Sequence, residues 1–278
     1  MLTPDIKDKV LAFVRKEPRT MNDIAKLIGR SWLTADSYVA RLREDTGLLE
    51  VKTFRGGTRG ALKVVYWNYV ESLGNEELKK ELFERIRLGQ KKQDFDFLDI
   101  YQYVDKSKKR CFSETYTNVH VSKKQNLVSL FNSAEHEILC FAGNLSWINV
   151  IEGKNKISNV LAEVAERKIP IKIMGRVDLA SVKNVDRIGA INSGLGREGM
   201  ELRHRRQPLR GFIIDSKVAR FKLEEEKAGL EQGELESNTR IFFEIYDPEW
   251  IEWLKKVFWA LYRTAVPAKR RIDELETV

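Results

Sequence analysis

Cysteine is nearly absent from this chain of 278 residues: Cys111 and Cys140 stand in neither a CxxC nor a metal-ligand spacing. That excludes a disulfide framework and points to a reducing, cytoplasmic setting. The three histidines, His120, His136 and His204, share no ligand spacing, so neither a metal nor a cofactor is implied. No apolar run approaches the ~20 residues that span a bilayer, which argues against a membrane partner. The start, Met1-Leu2-Thr3-Pro4-Asp5, has neither the charged flank nor the apolar stretch of a signal peptide. Neither an internal repeat nor a low-complexity tract occurs.

What is present is apolar content and positive charge. Hydrophobic residues make up 42% of the chain, enough for real cores, and the length suits two domains. The formal net charge of +8 favours an anionic partner, nucleic acid first. The excess is partly localised. Residues 1–70 carry 13 basic and 8 acidic side chains, so a quarter of the length holds most of it.

Thr3-Pro4-Asp5 predicts a helix start, with Ile6, Val10, Leu11 and Val14 at helical spacing and Pro18 as the stop. Thr20 predicts the cap of a second helix, with Asp23 at capping-box distance and Gly29 in the turn that follows. Ser31 predicts the cap of a third, running to about Asp45, with Ala35, Val39 and Leu42 inward. Helix, glycine turn and helix make a helix-turn-helix. Two strands follow, residues 48–54 and 61–69, joined through Arg55-Gly56-Gly57-Thr58-Arg59-Gly60. This hairpin reads as a basic wing, because residues 51–63 hold Lys52, Arg55, Arg59 and Lys63 and no acid. The third helix would enter a major groove, offering Ser31, Trp32, Thr34, Ser37, Tyr38 and Arg41 to bases and phosphates. Asp36 is awkward beside DNA unless it accepts from a cytosine amino group or orients a neighbouring Arg. A winged helix can also serve as a protein-interaction module. The all-basic wing favours duplex DNA.

Residues 71–96 read as a helical connector whose stripe of Leu78, Leu82 and Ile86 is either a dimer seam or packing on its own chain. Phe97, Ile100, Tyr101 and Val104 suggest a short helix. Beyond residue 123, helices alternate with short apolar strands, ending in a Trp-rich helix over residues 248–262. That alternation predicts α/β architecture with a largely parallel sheet.

The segment "ELRHRRQPLRGFIIDSKVARF" and the closing "DPEWIEWLKKVFWALYRTA" resemble half of a phospholipase D-type fold. Joined to an N-terminal winged helix, the chain resembles archaeal TrmB-like transcriptional regulators over most of its length. The implied fold class is an α+β winged helix-turn-helix domain (1–70) and, after the connector, an α/β phospholipase D-like half-domain (97–278). The family signature, His-x-Lys-x-x-x-x-Asp, falls here on Pro208, Arg210 and Asp215. Lys222-Leu223-Glu224-Glu225 stand where Gly-Ser-x-Asn would follow. Proline offers no nucleophile, so the resemblance implies a retained fold without catalysis, a pseudoenzyme. His204, four residues upstream on a different strand, is the nearby replacement or simply a strand-end residue. Single-copy domains of this type pair face to face, which implies a homodimer reading two half-sites about 34 Å apart.

The strand ends would gather Asn144, Ser146, Trp147, Arg176, Asp178, His204 and Arg205, with Arg210 and Asp215 at the old phosphate site. Such a set could hold a small polar or anionic effector. Equally, Arg210 and Asp215 could be a structural ion pair, and Trp147 part of the core. Three functions follow. The first is a dimeric, sequence-specific transcriptional regulator, not an enzyme, associated with the nucleoid. The second is a DNA-targeted phosphodiesterase or nuclease. The third is an architectural DNA-binding protein.

Overall fold

The structure is a computed structural model and describes residues 2–55, 61–67, 75–118, 121–122, 125–225 and 237–276. Three helices open the chain: α1 (Pro4–Lys16), α2 (Met21–Ile28) and α3 (Trp32–Thr46). Each starts where local chemistry dictates. Thr3 Oγ1 accepts from Ile6 N ahead of Pro4. Thr20 and Asp23 close a reciprocal capping box, with Asp23 N to Thr20 Oγ1 at 3.1 Å and Thr20 N to Asp23 Oδ2 at 3.0 Å. Ser31 Oγ accepts from Thr34 N at 3.3 Å. Gly29 and Gly47 end α2 and α3 in the left-handed region, at φ +61° and +65°, where side chains are strained. Strands β1 (Arg19–Thr20), β2 (Leu49–Arg55) and β3 (Ala61–Trp67) form a sheet in the order β1-β3-β2. The glycine tip, residues 56–60, lies outside the described residues.

Next come α4 (Asn75–Leu88), α5 (Leu98–Tyr101), β4 (Lys109–Thr115), β5 (Val121–Ser122), α6 (Leu127–Asn132) and β6 (Ile138–Phe141). The middle of the chain holds β7 (Ile151–Glu152), β8 (Asn155–Lys156), α7 (Ile157–Glu166), β9 (Ile171–Gly175), α8 (Val182–Leu195) and β10 (Met200–His204). It closes with β11 (Gly211–Ile214), β12 (Val218–Glu225), β13 (Thr239–Ile245), α9 (Pro248–Tyr262), β14 (Val266–Pro267) and α10 (Ala268–Glu276).

An eight-stranded sheet runs β14-β10-β9-β6-β11-β12-β13-β4. It is mixed, which corrects the expectation of a largely parallel sheet. Only β6–β9 and β9–β10 pair parallel; β10–β14, β6–β11, β11–β12, β12–β13 and β13–β4 are antiparallel. The reason is connection length. Strands β6, β9 and β10 are separated by α7 and α8, whereas β11 and β12 are joined by three residues, too few to cross the sheet. Strand β4 was not anticipated. Its sequence, KRCFSET, alternates polar and apolar residues too weakly to stand out.

Period-two alternation gives the sheet two covered faces. Cys140, Ile171, Ile173, Phe212 and Ile214 pack with α6, α7 and α8. Leu139, Phe141, Ile213, Phe221 and Phe243 pack with α9, through Trp250, Leu254 and Phe258. Burial of each such side chain stabilises by about 2–3 kcal/mol. The second core also takes in Leu82 and Ile86 of α4 and Phe97, Ile100, Tyr101 and Val104. The α4 stripe is therefore spent within the chain and is not a dimer seam. Phe54, Leu62 and Val64 of the β2–β3 hairpin belong to this same core, so the back of the hairpin lies on the C-terminal half. The front of the hairpin packs on α1–α3 through Val65 and Leu49. Among the described residues, no helix is long and apolar enough to cross a membrane.

Candidate functional site

Ala35, Val39 and Leu42 turn one side of α3 into the core that α1–α3 share with Leu49 and Val65. Spacing of four then places Leu33, Ser37 and Arg41 on an outer ridge. Leu33 is 76% exposed, Ser37 is exposed, and the Arg41 side chain is 65% exposed, with Asp45 at 3.7 Å. Ser31 Oγ and Thr34 Oγ1 lie 2.9 Å apart at the head of this ridge, and Tyr38 is half-buried beside it. Trp32 is placed differently from expectation. Its ring packs on that same N-terminal core and lies 4.9 Å beneath Lys63 Nζ, which makes it a support rather than a free reading surface.

Lys63 explains Asp36. Its Nζ stands 2.8 Å from both carboxylate oxygens, joining β3 to α3. The acid that looked awkward beside DNA is thus neutralised by a basic neighbour from the hairpin, 27 residues away. Lys52 does not join this group. Strand alternation puts it with Phe54 and Glu50 on the back of the hairpin, toward Cys111, whose thiol is pushed up to about 12 by burial against a weaker downward pull from Lys52. Arg55 is exposed on the α3 side of β2, with Thr53. Arg59 lies outside the described residues.

In the C-terminal half, the ends of β6, β9 and β10 gather most of the second predicted group. Asn144 Oδ1 accepts from Ser146 N at 3.2 Å, and Asn184 Nδ2 donates to Asn144 O at 2.7 Å. Arg176 Nε is 2.7 Å from Asp178 Oδ2. His204 Nδ1 accepts from Val177 N at 2.9 Å, which fixes the tautomer and leaves the ring holding the loop after β9. Burial first, then Arg271 and Arg206, lower the His204 pKa. Arg205 donates to Thr264 Oγ1 at 3.0 Å.

Arg210 and Asp215 are not brought together. They flank the four-residue strand β11, so extended backbone separates them by roughly 16 Å. Asp215 instead accepts three backbone N–H groups, from Glu135, His136 and Glu137, at 3.1, 2.9 and 2.9 Å. Burial alone would raise its pKa; those bonds overcome it and hold the carboxyl below the usual range. Pro208 is buried against Gly89, where an added Cβ would come within 2.8 Å of the proline ring.

Arg210 does reach a cavity of about 390 Å³. One wall is apolar: Trp147 and Phe212, which meet edge-on at 5.0 Å, with Leu127 and Val150 beside them. The cavity adjoins a basic mouth of about 420 Å³, lined by Arg176, Arg205 and Arg206 and sharing Arg210 and Asn144 with it. Sequence reading missed the deeper charges. Arg220 pairs with Glu244 at 2.6 Å and Arg240, 1% exposed, with Glu114 at 3.1 Å. The signal was present as alternation: Arg220, Lys222 and Glu224 fall on one face of β12, opposite Phe221 and Leu223.

No family model matches the chain, and no curated protein matches its sequence. Solved structures do resemble it. One is Nuc from Salmonella typhimurium, a phospholipase D family member, at 15% identity and TM-score 0.41, covering 57% of this chain and 97% of that one. Another is TrmBL2, an archaeal chromatin protein whose structure is described as showing a novel mode of DNA binding, at 13% identity and TM-score 0.41, covering 94% and 93%. A third is NucT from Helicobacter pylori, at 13% identity and TM-score 0.39, covering 57% and 99%. The presence of a phospholipase D family member among these corrects the expectation that the chain is not an enzyme.

Proposed function

We propose that the chain binds double-stranded DNA through α3 and the β2–β3 hairpin. In this reading residues 1–70 form a winged helix-turn-helix, residues 71–96 connect it, and residues 97–278 form a phospholipase D-like half-domain for dimerisation or sensing. The protein would act as a homodimeric, sequence-specific transcriptional regulator. The observation that carries the reading is the capped, exposed ridge of α3, where Asp36 is neutralised from the hairpin by Lys63. A bare carboxylate facing the phosphates would repel them, and Lys63 removes that conflict at Asp36. Ser31, Thr34, Ser37 and Tyr38 supply donors for phosphates or base edges, and Arg41 and Arg55 supply charge.

Genome-wide mapping of the DNA bound by the tagged protein tests this. The expected result is a recurring motif with two half-sites spaced by about 10 base pairs or a multiple. Uniform recovery of DNA without a motif would replace the regulator by an architectural role, and no recovery above background would end the DNA reading.

A further inference from the structure

The cavity beside Arg210 has features that DNA binding does not use. Its volume of about 390 Å³ lies in the range of small-molecule sites. Its inner charges are matched within the fold: Arg220 by Glu244 at 2.6 Å, Arg240 by Glu114 at 3.1 Å, and Lys222 by Glu224 at 2.8 Å. Arg210 is different. Its guanidinium donates to two backbone carbonyls, Gln207 O at 2.8 Å and Leu209 O at 2.6 Å, and among the described residues no carboxylate lies within ion-pair distance. Burial first, and then Arg176, push its pKa down to about 10, against smaller upward pulls from Glu224 and Cys140.

Glycine at 143 is part of this arrangement. A Cβ there would stand 2.7 Å from Arg210 Nε, so the bare backbone is what lets the guanidinium lie against the loop after β6. Next to this charge is an apolar wall of Trp147, Phe212, Leu127 and Val150. A cation with spare donors at one end and aromatic surface at the other match a ligand with the converse polarity.

We propose that this cavity binds a small organic anion, with its carboxylate, sulfonate or phosphate head on Arg210 and a flat apolar body against Trp147 and Phe212. Arg176, Arg205 and Arg206 at the mouth raise the local concentration of such anions without choosing among them.

The test uses the full-length protein and 1-anilinonaphthalene-8-sulfonate, an aromatic sulfonate that fluoresces when it leaves water. The neutral N-phenyl-1-naphthylamine serves as its control. One sulfonate probe is expected per chain, displaced by benzoate or by phenyl phosphate; whichever competes better identifies the preferred head group. Arg210→Gln is expected to weaken the sulfonate probe by about tenfold or more and to leave the neutral probe unchanged. Gly143→Ala, which pushes the guanidinium out of place, is expected to act the same way and serves if Arg210→Gln melts early. Wild-type affinity for the sulfonate in both variants would overturn the proposal. So would displacement by inorganic phosphate as strong as that by phenyl phosphate, since the apolar wall would then contribute nothing. The titration contains no DNA, so its failure and the failure of the α3 reading are separate results.

Discussion

Replacing Lys63 by methionine keeps the aliphatic stem over Trp32 and removes the charge that Asp36 holds. In the structure that charge sits 2.8 Å from both carboxylate oxygens, with side chains about a quarter and a third exposed. At that exposure water screens much of the attraction, so the pair is worth about 1 kcal/mol, and the ammonium over the Trp32 ring adds about 0.5–1 kcal/mol. Lys63→Met should therefore lower stability by about 1–2 kcal/mol, a loss of a few degrees in melting temperature. The effect on DNA is separate. An unmasked Asp36 at ~7 Å from a phosphate, in a dielectric between protein surface and water, costs about 1 kcal/mol, a roughly five- to tenfold loss in affinity. Asp36→Asn alone should bind a labelled duplex as tightly as wild type or tighter, because Lys63 is then free to face phosphate. The double variant should return to within about threefold of wild type. Fluorescence anisotropy at fixed salt reads all four proteins. If Lys63→Met melts early yet binds duplex at full strength, the pair is structural and α3 does not face the phosphates.

Three more variants test the frame around these sites. Asp215 holds three backbone N–H groups at the head of β6 and is 3% exposed, so Asp215→Ala should cost about 3 kcal/mol. Asn at this position tolerates the left-handed backbone, φ +52°, and isolates the charge. Because the folded pKa is lowered, the charge contributes fully above pH ~4 and is lost as pH falls through the folded value. Acid denaturation of Asp215→Asn should accordingly be shallower than that of wild type, and parallel curves would refute it. Phe54→Ala opens the core shared by the hairpin and the C-terminal half, and should cost about 3–5 kcal/mol and deprotect β2 and β3 amides in hydrogen exchange. Unchanged protection would show that the hairpin does not rest on that core.

The elements that the sequence disclosed are those fixed by near neighbours. Thr3, Thr20 and Ser31 cap residues three positions away, and Gly29 and Gly47 end their own helices, so three helices could be read off short windows. The closing helix over residues 248–262 was equally plain, since Asp247 caps it through Glu249 N at 2.9 Å. Pairings across distance were not legible. Nothing in a linear reading joins Lys63 to Asp36, or Arg240 to Glu114 across 126 residues. Strand direction failed because the helix–strand alternation was taken to set the whole sheet, although residues 211–223, a pair of adjacent strands, form a hairpin whose three-residue turn forbids a parallel return. Two separations follow from chain arithmetic alone. Period two separates Lys52 from Thr53 and Arg55, and five extended residues keep Arg210 from reaching Asp215. The apolar wall and the unmatched arginine of the cavity come from separate segments of chain, which only the folded sheet brings together.

The claim that α3 and the hairpin grip duplex DNA is tested most directly by the salt dependence of binding. Affinity of wild type and of Arg41→Ala/Arg55→Ala for one labelled duplex, measured between low and physiological salt, yields two slopes. The double variant should bind more weakly and lose about 0.9 from the slope for each phosphate contact removed, close to two in all. Identical affinities and superimposable slopes for the two proteins would contradict the claim.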